Sequence, residues 1–526
     1  MKTKVLLVVA LTHWICAPVL HAATYSNPVL AGDFPDPSVI RVGADYWATA
    51  TTSEWAPLFP LLHSRDLVHW EHIENVFERR PAWAVGNFWA PEISEYKGVF
   101  YVYYVGRKRG GPLSISVATA PNPKGPWTDH GPMIGQEAGS IDPVTVVDTS
   151  GERYLIWKED GNSRKRPTPL WIQKLSADGT RLVGDMKEIM RNDTDWEGQL
   201  IEGPFVQRHA DWWYLFYSGA GCCGRGCNYA LGVARSKNLL GPWEKNPANP
   251  ILSANAHWKC PGHGTIVSDE KGRDYLLYHS YETTNFIYVG RQGLLDEVTW
   301  ASDGWPTINS GRGPSHSAEI PIATSSEATP YAFVDDFTTA KLKPQWQWPQ
   351  NNEPRVRIGQ SDRGIILSAS EMRHDDFVAA VLAVKTTTGN YLAATKLSRE
   401  SLARGNSAGL SAFGDGDNAL GASIRGEELV LWRRQRNKQQ LIGSTPLPPG
   451  TDLWLRMKSS AGHRFQFAWA TDGKSWKEIG TNIDLEGDYL PPWDRGIRVA
   501  LVVGGGNATA KFYSLHVSPD ELPAAK

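Results

Sequence analysis

The sequence predicts an all-β chain: a five-bladed β-propeller followed by an antiparallel β-sandwich. Three observations carry that reading. Tyr-centred apolar strands recur five times between residues 45 and 305, a polar signature precedes each of them, and a Ser/Ala/Thr/Pro-rich stretch then gives way to a differently patterned second half. The 526 residues include 50 Gly, 35 Pro and 23 Trp. That is the punctuation of short strands and tight turns, with enough indole for aromatic cores or for stacking on sugar faces. Lys and Arg number 54 against 56 Asp and Glu, a formal net charge of −2. Such a balance argues against a nucleic-acid or anionic-membrane partner, either of which calls for a basic surface.

Taken in order, the chain opens with Met1-Lys-Thr-Lys, an apolar run over residues 5–11 and small residues around His21-Ala22-Ala23. This pattern reads as a cleaved signal peptide over residues 1–23, so the protein is expected in the periplasm or outside the cell. No later apolar run is long enough to span a bilayer. Residues 24–310 are expected to form the propeller. The strands are Ala44-Asp-Tyr46-Trp-Ala-Thr, Gly98-Val-Phe-Tyr101-Val-Tyr-Tyr, Gly151-Glu-Arg-Tyr154-Leu-Ile-Trp, Asp211-Trp-Trp-Tyr214-Leu-Phe-Tyr and Gly272-Arg-Asp-Tyr275-Leu-Leu-Tyr, their tyrosines 53 to 61 residues apart. A period of that size with several short strands per unit is the signature of propeller blades.

Nine to twelve residues before each tyrosine stands a polar motif: Asp33-Phe-Pro-Asp36-Pro-Ser, Trp89-Ala-Pro-Glu92, Ser140-Ile-Asp142-Pro, Ile201-Glu202-Gly-Pro and Gly262-His263-Gly. Each alone is bland, since Asp-Pro commonly starts a turn. In equivalent register on five innermost strands, however, they converge on the propeller axis. Carboxylates gathered there repel one another and lose solvation, which stability does not explain. Glycoside hydrolysis does, because it needs one ionised carboxylate and one that carries a proton.

These motifs, in this order, together with Cys222-Cys223 and Gly232-Val-Ala-Arg-Ser-Lys before Gly-Pro-Trp243, resemble glycoside hydrolase family 43 from about residue 27 to 305. The resemblance implies an inverting hydrolase acting on arabinose- or xylose-containing glycans, most specifically an α-L-arabinofuranosidase or β-xylosidase. Asp36 would be the general base, Glu202 the general acid, and Asp142 the group that tunes and orients Glu202, with the Asp36 and Glu202 carboxyls about 6.5–9.5 Å apart. Glu92 would support its strand. Arg291 matches an arginine placed over the acids, with a surface salt bridge as its alternative. Trp55, Phe88 and Trp89 would be stacking platforms for the sugar, or else core. His263 would be the axial histidine that in many relatives contacts a central calcium through water, against the alternative of a hydrogen-bonded core histidine. No cofactor is required for such a reaction, calcium being structural.

After the signal, Cys222, Cys223, Cys227 and Cys260 remain. Adjacent cysteines rarely pair, so one of Cys222 and Cys223 is expected to bond Cys227 and the other Cys260. A zinc site is disfavoured by the spacing. Residues 311–330 read as a linker. Residues 331–526, with strands such as Glu428-Leu-Val-Leu-Trp432 and Phe465-Gln-Phe-Ala-Trp469, read as the sandwich and resemble the concanavalin-like C-terminal domain of family 43 β-xylosidases and arabinofuranosidases. Its expected role is to brace the propeller and narrow the pocket mouth. Two other functions compete. A retaining, fructosidase-like propeller hydrolase would show Asn-Asp-Pro-Asn-Gly where this chain has Pro35-Asp36-Pro-Ser, and a non-catalytic glycan-binding protein would not need all three of Asp36, Asp142 and Glu202.

Overall fold

Short apolar strands punctuated by Gly and Pro turns pair with their sequence neighbours, and five four-stranded antiparallel sheets result between residues 38 and 308. The computed structural model describes residues 23–322, 331–359, 363–371, 376–403, 405–450, 452–479, 485–506 and 508–520. All but the last residue of the expected signal peptide lies outside the described residues. The first strand of each sheet is labelled here β1 (Ser38–Val42), β2 (Trp89–Tyr96), β3 (Ser140–Val147), β4 (Ile201–His209) and β5 (Trp258–Ser268). They touch in cyclic order, with β5 against β1, so the sheets form a closed ring about one axis. The five tyrosines fall on the second strands, which are sandwiched between neighbouring sheets and so are nearly continuous in buried apolar residues; Val99–Arg107, buried at every position but its two ends, is an example. The N-terminal segment closes the ring: Leu30 pairs with Gly293, and the Asn27 amide donates to the Leu295 carbonyl at 3.1 Å.

Part of the expected linker belongs to this body. Ser317–Glu319 pairs with Thr24–Ser26, Ser315 is buried, and Ile320 packs on the propeller core. Residues 323–330 lie outside the described residues.

The second half forms a nine-stranded and a six-stranded antiparallel sheet that share one core, including Leu382, Leu410 and Leu501 from the smaller sheet and Leu367, Leu455 and Phe467 from the larger. Strand patterns record what each sheet faces. Asp452–Ser460 of the larger sheet alternates between buried and half-buried residues, as one wet face requires. Arg498–Gly504 of the smaller sheet is buried throughout, because its outer face packs on the propeller.

Trp55 sits in that second interface, edge-on to Phe413 at 5.6 Å and 2% exposed. It is therefore an interdomain core residue and not a sugar platform. Phe88 is likewise buried, edge-on to Phe59. Both expectations of stacking are corrected by burial. At the same interface Arg498 Nη2 donates to Asp33 Oδ2 at 2.9 Å, with both side chains 2–3% exposed. Breaking a buried pair strands a charge. Arg498→Met is expected to cost about 3–5 kcal/mol in equilibrium denaturation; a cost under about 1 kcal/mol would contradict this account of the interface.

Candidate active site

The polar motifs sit where the ladders break. On β3 the register shifts between Ile141 and Val144, and on β4 between Glu202 and Phe205. Pro143 and Pro204 fall inside those gaps and have no N–H to give, so the strand bulges and re-aims the preceding carboxylate. β2 shifts likewise between Trp89 and Glu92 around Pro91, and β5 on both sides of Gly262. Asp36, Asp142 and His263 hold φ values of 52°, 55° and 44°. Non-glycine residues adopt this left-handed region mainly where the surrounding structure enforces it, often at functional sites. Gly203 follows Glu202 because a Cβ there would stand 2.8 Å from the His263 ring.

The bulges bring Asp142, Glu202 and His263, and the segment ahead of β1 brings Asp36, to one cavity of about 280 Å³ at the N-terminal end of the first strands, where Arg291 and Trp89 also line it. Glu92 is not there. It lines the cavity at the opposite end of the axis, accepts from the Ser38 hydroxyl at 2.6 Å, and is pushed up to about 8 by burial.

Electrostatics divide the carboxylates. Burial alone would raise Asp36. Arg291, whose Nη1 donates to Asp36 Oδ1 at 2.9 Å, outweighs it with help from His263, and holds the carboxyl well below the usual range. Thr51 donates to the other oxygen at 2.7 Å, and the Asp36 backbone N–H donates to His279 Nδ1 at 3.1 Å. Asp142 goes the other way. Burial, joined by the neighbouring charge of Glu202, outweighs His263 and Lys158 and lifts it to about 6. Burial also acts on Glu202, but Lys158, donating at 2.7 Å, and then His263 lower it. The Gly203 N–H donates to Asp142 at 2.9 Å, fixing it beside Glu202. The pocket thus holds one carboxylate that stays ionised and a coupled pair in which Asp142 is raised and Glu202 is lowered. His263 Nδ1 stands between them, 3.4 Å from Asp36 and 4.0 Å from Asp142.

Residues 25–306 match the model of Glycosyl hydrolases family 43, and residues 334–499 match that of the Beta xylosidase C-terminal Concanavalin A-like domain. The chain belongs to glycoside hydrolase family 43. It is 29% identical over 493 residues to a protein of Humicola insolens called Xylosidase/arabinosidase 43B, covering 87% of this chain and 89% of that one. It is 32% identical over 333 residues to the Xylosidase/arabinosidase of Butyrivibrio fibrisolvens, covering 60% and 61%. In fold it resembles the GH43 protein BlXynB from Bacillus licheniformis, with a TM-score of 0.81 at 24% identity over 95% of this chain and 100% of that one.

Lys158, Trp493 and Asp494 of this family 43 pocket escaped the sequence reading. Lys158 is buried between Glu202 and Asp160, at 2.7 and 3.0 Å. Its signal was present: a lysine ending the apolar run Tyr154-Leu-Ile-Trp157 must be buried and therefore paired. Trp493 and Asp494 come from the sandwich and carried no local signal. Trp493 stands edge-on to Trp89 at 6.0 Å at the pocket mouth, 60% exposed. The Asp494 carbonyl accepts from Arg291 Nη2 at 3.2 Å and its carboxylate accepts from Ser53 at 2.7 Å. Arg291 is accordingly a buried link between the base and the second domain, not a surface pair.

The cysteines correct an expectation. Cys222 bonds Cys223, and Cys227 bonds Cys260. The turn closed by the Cys227 N–H on the Gly224 carbonyl sets Cys227 with its Cα 6.0 Å from that of Cys260, which leaves the adjacent pair only each other.

Among the described residues no group of three or more His, Cys, Asp or Glu side chains is set to hold a metal ion directly, and His263 turns Nδ1 toward two carboxylates. No step below is routed through a metal.

Proposed function

We propose that this family 43 hydrolase is an exported enzyme that removes terminal α-L-arabinofuranosyl or β-D-xylosyl units from plant cell-wall glycans with inversion. The observation that carries the reading is the division of charge in one pocket, with Asp36 held ionised by Arg291, Asp142 raised by burial and the charge of Glu202, and Glu202 held beside Lys158. Asp36 takes a proton from water as the oxygen attacks the anomeric carbon. Glu202 delivers a proton to the departing glycosidic oxygen, and Asp142, fixed by the Gly203 N–H, restores and orients it. Water and side chains suffice, so the scheme needs no cofactor. The names of relatives, Xylosidase/arabinosidase in two organisms, support the pentose assignment. Trp493 and Asp494 reach the pocket rim from the sandwich, so the binding site is closed on that side and fits a chain end better than a chain middle. Arabino- and xylo-oligosaccharides reduced to alditols test this: release of single pentoses from the non-reducing end is expected, and internal cleavage, or no hydrolysis, would contradict it.

The same charges fix the pH response. The proton on the Asp142–Glu202 pair leaves as pH rises through about 6, so kcat/KM falls on the alkaline side from there. Asp36 stays ionised to much lower pH. Lys158 favours ionised Glu202, so Lys158→Met raises the Glu202 pKa and moves the alkaline limb to higher pH. A pH profile in which that limb moves down would refute the role of Lys158.

A further inference from the structure

One wall of the pocket has no part in the chemistry above. Cys222 and Cys223 both line the cavity that holds Asp36, Asp142 and Glu202. Cys222 also packs with Leu200, two residues before Glu202, on a buried cluster of Tyr229, Cys260, Tyr281 and Ile287.

The loop that carries them is pinned from several directions. Cys227 is bonded to Cys260, three residues ahead of His263. At the loop base the Asn228 N–H donates to the Gly221 carbonyl at 3.0 Å, and the Gly221 N–H donates to Asn228 Oδ1 at 2.8 Å. The Gly224 N–H donates to the Tyr281 hydroxyl at 3.2 Å, and a Cβ on Gly224 would stand 3.1 Å from the Trp493 carbonyl oxygen. The loop therefore fills the space between the strand of Glu202 and the sandwich segment at the pocket mouth.

A disulfide ordinarily stabilises by closing a loop of chain. The Cys222–Cys223 bond joins residues already joined by a peptide, so it closes no loop, and the anchoring is supplied by Cys227–Cys260 and the hydrogen bonds. What it does supply is a surface. Two thiols would be flexible, weakly polar and able to ionise; one disulfide is rigid, polarisable and unable to donate a hydrogen bond. Together with Trp89 and Trp493, it gives the pocket an apolar surface beside the carboxylates, facing the space where substrate must lie.

We propose that the Cys222–Cys223 disulfide is a sugar-binding ledge, against which the C–H face of a pentosyl unit packs beside Glu202. The proposal rests on the functional reading above and adds a specificity element to it.

The test joins kinetics to chemical protection. Cys222→Ala/Cys223→Ala is expected to raise KM for p-nitrophenyl α-L-arabinofuranoside or β-D-xyloside about tenfold, as loss of one apolar contact in a substrate pocket does, with kcat little changed. A water-soluble phosphine, which takes up the oxygen of water as it reduces the S–S bond to two thiols, should raise KM of the wild type by clearly more than it raises KM of the double variant, where only Cys227–Cys260 is left to reduce. Excess L-arabinose or D-xylose should slow phosphine reduction of Cys222–Cys223, read by mass spectrometry of the alkylated peptides, without slowing that of Cys227–Cys260. The protection arm uses the unaltered protein, so it decides the matter even if the double variant misfolds. An unchanged KM after loss of the bond, or reduction indifferent to both sugars, overturns the ledge. Failure of the wild type to hydrolyse either glycoside would instead overturn the functional reading.

Discussion

Asp36→Asn is expected to lower kcat by about 10²–10⁴, and to do so equally for good and poor leaving groups. The amide is isosteric with the carboxylate and keeps an oxygen for the Thr51 hydroxyl, which donates to Asp36 at 2.7 Å in the native protein. It cannot accept the proton that water must lose. Nor can it neutralise Arg291, which donates to Asp36 at 2.9 Å and is buried with it. Base catalysis acts on the nucleophile, so the loss is independent of what departs. The measurement is kcat for aryl glycosides of graded leaving-group acidity, with circular dichroism to confirm the fold. A loss below tenfold would remove Asp36 from the reaction.

Glu202→Gln should separate from it by leaving group. For a glycan or alkyl leaving group, which departs only when protonated, kcat/KM falls by about 10²–10⁴. For a dinitrophenyl leaving group, stable as the anion, the fall is smaller by about tenfold or more. Equal losses across the series would show that Glu202 does not protonate the leaving oxygen. Lys158 enters here as well, since its ammonium stands 2.7 Å from the same carboxylate and biases it toward the ionised form.

The residues show how far sequence reasoning reached. The repeat placed Asp36, Asp142, Glu202 and His263 in one pocket because a register-preserving repeat fixes geometry without knowledge of loops. The same logic says only that Glu92 is axial, not which end it faces; its position two residues further into β2 puts it at the opposite cavity. Aromatic residues were harder. Trp55 and Phe88 stand close in sequence to pocket motifs, yet their burial depends on a second domain and a neighbouring sheet that local pattern does not reveal. Trp493 is the converse case, a pocket residue delivered by a loop more than 450 positions after Asp36. The cysteine pairing failed on a sound general rule, because one turn decided which cysteine reached Cys260.

The central claim is that two carboxyl groups and a water, rather than an enzyme nucleophile, carry the reaction. It is tested most directly by proton NMR of the first product formed from p-nitrophenyl α-L-arabinofuranoside or β-D-xyloside, with Glu202→Gln alongside. The sugar is expected to appear first as the anomer opposite to that of the substrate, and the signal to be lost or greatly slowed in the variant. A first product with retained configuration would contradict it, and would make one of the pocket carboxylates a nucleophile instead.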